Sequence, residues 1–208
     1  LFRSMLSMYL ADPALAGGVV GGILFGLLTV YELDRTERSR VGMLMDAAVS
    51  PLTMALVRLP ALAAAAVLGL GLTMLVWLPI SRELIGSVFG GTDYLLSYLL
   101  FMGLALWLAI LAAAAAYQFT RRSDLSLVLF AVWALSDDFS NFRLYRSVAY
   151  MRLTWLAALA GVWTLSWLCI RQYGKGLLGS LARSARRVCR PLIALLLLAC
   201  SGAAYAAQ

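Results

Sequence analysis

Five stretches of this chain run the length of a membrane crossing without one formal charge. They are Pro13–Tyr31, Leu59–Ser81, Tyr94–Thr120, Leu153–Ile170 and Pro191–Gln208. Crossing the ~30 Å hydrocarbon core takes roughly 17–25 apolar residues per helix. In lipid the backbone can satisfy its polar groups only in helices or closed barrels. A barrel strand would alternate apolar and polar residues over ~10 positions, whereas these runs are apolar on every face. The pattern predicts an all-α fold, a polytopic transmembrane helix bundle. Composition agrees: 63% of residues are hydrophobic and 13% charged, against roughly 45–50% and ~25% in soluble domains.

A sixth run, Leu125–Ser136, is short. At ~1.5 Å per residue it reaches only about 18 Å. A crossing near 120–137 would have to borrow Tyr117–Asp124, with Arg121 and Arg122 snorkelling toward the headgroups. The other option is a half-span that continues into Asp137–Tyr150. Charge favours the crossing. With six spans, near 13–31, 59–81, 94–117, 120–137, 153–170 and 191–208, twelve of the 17 cations fall on one side. These are Arg35, Arg38, Arg40, Arg58, Arg121, Arg122, Arg171, Lys175, Arg183, Arg186, Arg187 and Arg190. The opposite side keeps Arg3, Arg82, Arg143, Arg146 and Arg152. The positive-inside rule makes the richer side cytoplasmic and both chain ends extracytoplasmic. Residues 171–190 become a basic cytoplasmic loop.

The chain begins at Leu1 rather than Met, which reads as a piece of a longer product. Its last segment has a basic start at Arg186-Arg187, a short apolar run and an Ala204-Tyr205-Ala206 end, like a secretory signal. Leu197-Leu198-Ala199-Cys200 loosely resembles a lipoprotein cleavage box. The simpler reading is a last span over 191–208 leading to an extracytoplasmic part beyond this chain.

Several chemistries are excluded. The chain has no His, so triads built on Ser/His/Asp or Cys/His are absent. Cys169, Cys189 and Cys200 are widely spaced and form no zinc pattern. No metal, cofactor or catalytic residue is expected. Gly174-Lys175-Gly176 lacks the leading Gly and the following Ser or Thr of a phosphate-binding loop. Every acid lies in a loop or at a span end, so a proton relay through the membrane is not expected. If the chain transports anything, its energy source lies elsewhere. The +7 charge flanks apolar runs and fits topology rather than nucleic acid.

The first span carries Gly17, Gly18, Gly21, Gly22 and Gly26. Such small-xxx-small pairs let helix backbones approach closely, either within the chain or across a dimer seam. On the outer face, Asp137, Asp138, Arg143 and Arg146 sit among aromatic residues. They read as a salt-bridged interfacial loop before they read as an enzyme's catalytic groups.

Between the first two spans the charges cluster over Glu32–Arg40. A mostly apolar stretch, Val41–Ala48, follows and ends near Ser50-Pro51. That pattern predicts a helix lying at the cytoplasmic interface, either an anchor for its spans or a docking element for a partner. The loop resembles the corresponding one in ABC-transporter permeases of the type-2 exporter class. Glu37-Arg38 stands at the class's Glu-Arg, Gly42-Met43 at its Gly-Thr, Leu44–Ala47 at its Leu-rich turn and Ala48-Val49-Ser50 at its Pro-Val-Ser. Val57-Arg58 stands where a Gly-Lys would open the next span. Met43, Ala48 and Val57-Arg58 depart from the pattern. The resemblance covers roughly residues 15–170, from the class's second span to its sixth.

It implies a permease subunit, not itself an enzyme, in a bacterial inner membrane. Such a subunit pairs with a second permease, as a homodimer or otherwise, and with a cytoplasmic ATP-binding-cassette ATPase. Glu37, Arg38, Gly42, Met43 and Asp46 would be the docking residues. It also implies that Asp137–Met151 dips into the membrane as a re-entrant element. The alternative is a non-transporting scaffold that anchors or positions a partner or an extracytoplasmic domain.

Overall fold

A computed structural model describes residues 2–39, 51–86, 89–120, 122–136, 145–170 and 190–206. All the regular structure among them is helical. Six helices follow in chain order: α1 (Phe2–Arg38), α2 (Pro51–Ile85), α3 (Gly91–Thr120), α4 (Ser123–Ser136), α5 (Tyr145–Ile170) and α6 (Arg190–Ala206). Four contain segments long and apolar enough to cross a membrane: Asp12–Arg35, Val57–Ile85, Gly91–Thr120 and Val148–Leu165. The chain thus has the helices of an integral membrane protein. Two shorter apolar segments, Ser123–Ala134 and Leu192–Ala203, complete the set.

The helix ends follow local chemistry. Pro51 opens α2, where its missing N–H is not needed. Gly86 ends α2 at φ +62°, a left-handed conformation that costs a residue with a Cβ. Gly90 is extended and starts α3, with Asp93 in the first turn complementing the helix dipole. Within α3, Tyr98–Gly103 widens into a π-helical stretch.

Contacts fix the direction of every helix. Gly18 and Gly22 of α1 lie against Ala105 and Ala109 of α3, so these two run parallel. Leu70 of α2 meets Gly103, and Met74 accepts a 2.7 Å hydrogen bond from the Tyr94 hydroxyl, so α2 runs antiparallel to α3. Phe130 of α4 meets Gly26, and Ser123 meets Arg38, so α4 runs back along α1. Gly161 of α5 lies against Ala194 and Leu198 of α6. The Ser201 hydroxyl donates to the Thr154 carbonyl at 3.0 Å, so α5 and α6 are antiparallel. Trp163 of α5 shares a cleft with Arg58 and Gln118, so Arg35, Arg38, Arg58, Arg122 and the start of α6 at Arg190 share one end of the bundle. Asp12, Arg82, Glu83 and Asp93 share the other. Five of the twelve cations expected on the richer side thus lie at one end, and the other seven fall outside the described residues.

The core is α3. Its span is 72% buried, against 11% for α2 at the periphery. Ala112–Tyr117 forms a continuous buried stretch, so small side chains bring four helices close around it. Tyr94, Tyr98, Leu106 and Leu108 fill the larger spaces.

Two expectations change. The crossing near 120–137 does not borrow Tyr117–Thr120, which finishes α3. The Thr120 hydroxyl donates back to the Ala116 carbonyl, and the Ser126 amide donates to the Arg122 carbonyl. One helix thus ends at Thr120 and the next begins at Ser123. The 14 residues of α4 reach about 21 Å, less than the hydrocarbon thickness. The fifth span also begins earlier than Leu153. Its apolar window, Val148–Leu165, takes in Arg152, which is 6% exposed. A charge in sequence marks a span's edge only when the side chain reaches water, and Arg152 is folded into the bundle instead.

Candidate partner-facing site at the basic end

The segment bearing the class resemblance begins inside α1. Glu37 and Arg38 form part of its last turn, so helical structure continues through the charge cluster rather than stopping at Glu32. Gly42, Met43 and Asp46 lie outside the described residues.

Asp34 organises this end. Its side chain is 17% exposed and ion-pairs with Arg38 one turn on. Acid before base at this spacing, with the base in the last turn, suits both side-chain geometry and the helix dipole. The other carboxylate oxygen of Asp34 accepts from the buried Tyr117 hydroxyl of α3 at 3.4 Å. Arg38 Nη2 also donates to the Ser123 hydroxyl at the start of α4, at 3.3 Å. One carboxylate and one guanidinium thus join α1, α3 and α4. Exposed ion pairs alone contribute about 0–1 kcal/mol, as for Arg35 and Glu32. The Asp34–Tyr117 contact is more protected, because Tyr117 is buried and Asp34 is mostly covered.

The glycines are consumed within the chain. A Cβ on Gly18 would stand 2.7 Å from the Phe101 carbonyl oxygen, and one on Gly26 would stand 2.3 Å from the Phe130 ring. Gly21 faces Leu106, Gly17 faces Met102, and Gly22 has ordinary contact with Ala109 at 3.6 Å. Of the two readings of this stripe, the close approach is intramolecular.

Just inside the basic end, four helices leave a cleft. Leu33 of α1, Arg58, Leu59 and Leu62 of α2, Ala114 and Gln118 of α3, and Trp163 of α5 line it. Arg58 stands at a motif position in the sequence, whereas Gln118 is a neutral residue near the end of an apolar run and gives no signal.

At the opposite end, Arg146 lies in the first turn of α5. Asp137, Asp138 and Arg143 fall outside the described residues. Asp34, Tyr117 and Ser123 were likewise missed, because residues far apart in sequence give no pairing signal. The signal-like C-terminal segment packs against α5 as an ordinary helix.

Comparison with protein families, with curated proteins and with solved structures returns no match.

Proposed function

We propose that this chain is the membrane-spanning permease part of an ATP-driven exporter of the type-2 class, in a bacterial inner membrane. A separate cytoplasmic ATPase docks on the segment between α1 and α2 and supplies the energy. The chain works beside a second permease, a copy of itself or a paralogue, and substrate crosses between the two halves. The observation that carries the reading is the Asp34–Arg38–Tyr117–Ser123 network. It starts at the Arg of the Glu37-Arg38 motif and ends on α3 and α4. A displacement of that motif would therefore move three helices together.

A rigid joint is what coupling requires, because a partner's motion is lost if the docking segment flexes alone. The sequence supports the same reading: the acids sit at span ends, no internal ion relay is expected, and no nucleotide-binding loop is present. In membrane vesicles with the partner ATPase, Glu37→Arg or Gly42→Trp is expected to leave insertion and ATP hydrolysis intact while transport falls. Normal coupling in both variants would contradict the docking role.

A further inference from the structure

The cleft at the basic end has a chemistry that neither the fold nor the docking segment uses. Arg58 and Gln118 face it from adjacent helices, and no carboxylate lines it among the described residues. Gln118 is 7% exposed, and its Nε2 finds no hydrogen-bond partner among the described residues. A buried amide donor left unmade costs about 1–3 kcal/mol, so the site is incomplete as the described residues build it. The rest of the wall is apolar: Leu33, Leu59, Leu62 and Trp163.

We infer that this cleft binds the phosphodiester of an anionic phospholipid from the leaflet on the basic side. The enclosed volume is about 20 Å³, enough for one water-sized group. A single phosphate oxygen fits that space and the remainder of the headgroup stays at the mouth. A guanidinium and an amide donor together suit a phosphate oxygen, since hydrogen bonds to an anion are stronger than those to a neutral group. Lipid, rather than free phosphate, is the source because of what adjoins the cleft. Arg58 and Leu59 belong to α2, the least covered of the four long spans. Beside them, Val57 is 64% exposed on the same helix. An acyl chain leaving the cleft therefore finds an apolar surface at once. The inference is independent of the exporter reading and needs only the membrane placement.

The test is native mass spectrometry of the purified full chain, released from nanodiscs of phosphatidylglycerol or of phosphatidylcholine. Wild type is expected to retain one phosphatidylglycerol per chain and no phosphatidylcholine. Arg58→Gln and Gln118→Leu are expected to retain it about tenfold less, the loss of roughly one charge-assisted hydrogen bond. Arg122→Gln, an exposed cation outside the cleft, is expected to retain it fully. Gln118→Leu replaces an amide whose Nε2 has no partner among the described residues with an apolar side chain of similar size, so the protein is expected still to fold. Equal retention of both lipids, or equal loss in Arg122→Gln, overturns the inference. So does unchanged retention in both cleft variants, which would leave a water in the cleft. A thermal shift with inorganic phosphate in lipid-free detergent, abolished by Arg58→Gln, would keep the phosphate chemistry but overturn the lipid source.

Discussion

Gly18 of α1 meets the Phe101 carbonyl of α3 backbone to backbone, at a point where no Cβ can be accommodated. The carbonyl belongs to the π-helical stretch Tyr98–Gly103, whose wider turn is buried at Leu100, Phe101 and Met102. The oxygen is held by a buried helix and cannot step aside as a side-chain tip would. Gly22, one turn on, has only ordinary contact with Ala109.

These two positions give the sharpest stability prediction. Gly18→Ala is expected to destabilise the protein by about 1–3 kcal/mol, the usual range for overpacking. Gly22→Ala is expected to be neutral within about 0.5 kcal/mol. Thermal unfolding of the detergent-solubilised protein distinguishes them. Equal effects would mean that the helices do not cross at Gly18.

The joint at the basic end calls for a double-mutant cycle. Asp34→Ala and Tyr117→Phe each remove one side of the 3.4 Å contact. Each is expected to cost about 1 kcal/mol. The pair is expected to cost less than the sum by roughly 0.5–1 kcal/mol, as for residues in contact. Strict additivity would show that the contact does not form.

Helix directions predict which residues share a side of the membrane. In a variant lacking the native cysteines, single cysteines at Ser39 and Arg122 are expected to react with an impermeant maleimide from the same side. A cysteine at Gly86 is expected to react from the other. Labelling of all three from one side would contradict the antiparallel arrangement of α1 and α2.

Between α5 and α6 the packing outweighs the polar contact. Ser201→Ala removes one interhelical hydrogen bond, which in membrane proteins is worth about 0.6 kcal/mol on average. Gly161→Leu is expected to cost several times more. Its Cβ already falls 2.9 Å from Leu198 and 3.4 Å from the Ala194 carbonyl. The ratio of the two losses in thermal unfolding checks the order.

Much of the architecture was legible because lipid imposes one strong rule: apolar runs become helices. Four of the five long charge-free runs fall wholly within a helix and the fifth does so as far as Ala206, and the segregation of Arg35, Arg38, Arg58 and Arg122 follows from it. Length failed where charge was taken as a boundary. Arg152 was read as the edge of a span, yet the fold buries it. Arg121 and Arg122 were read as snorkelling residues within a crossing, whereas Arg122 belongs to the turn between α3 and α4. The glycine spacing on α1 announced close helix contact but not its partner. The partner was set by where Phe101, Leu106 and Phe130 came to lie. The basic-end site was half legible. Arg38 stood out by its motif, while Asp34 and Tyr117 are unremarkable until the fold sets them side by side.

The central claim is that an ATPase works through this chain, and native purification tests it most directly. The full-length protein would be extracted gently from its own membrane, and every co-purifying chain identified by mass spectrometry. The account predicts a stoichiometric soluble subunit with a phosphate-binding Lys loop. Absence of an ATPase at any stoichiometry, with none fused to the full-length protein, would contradict it.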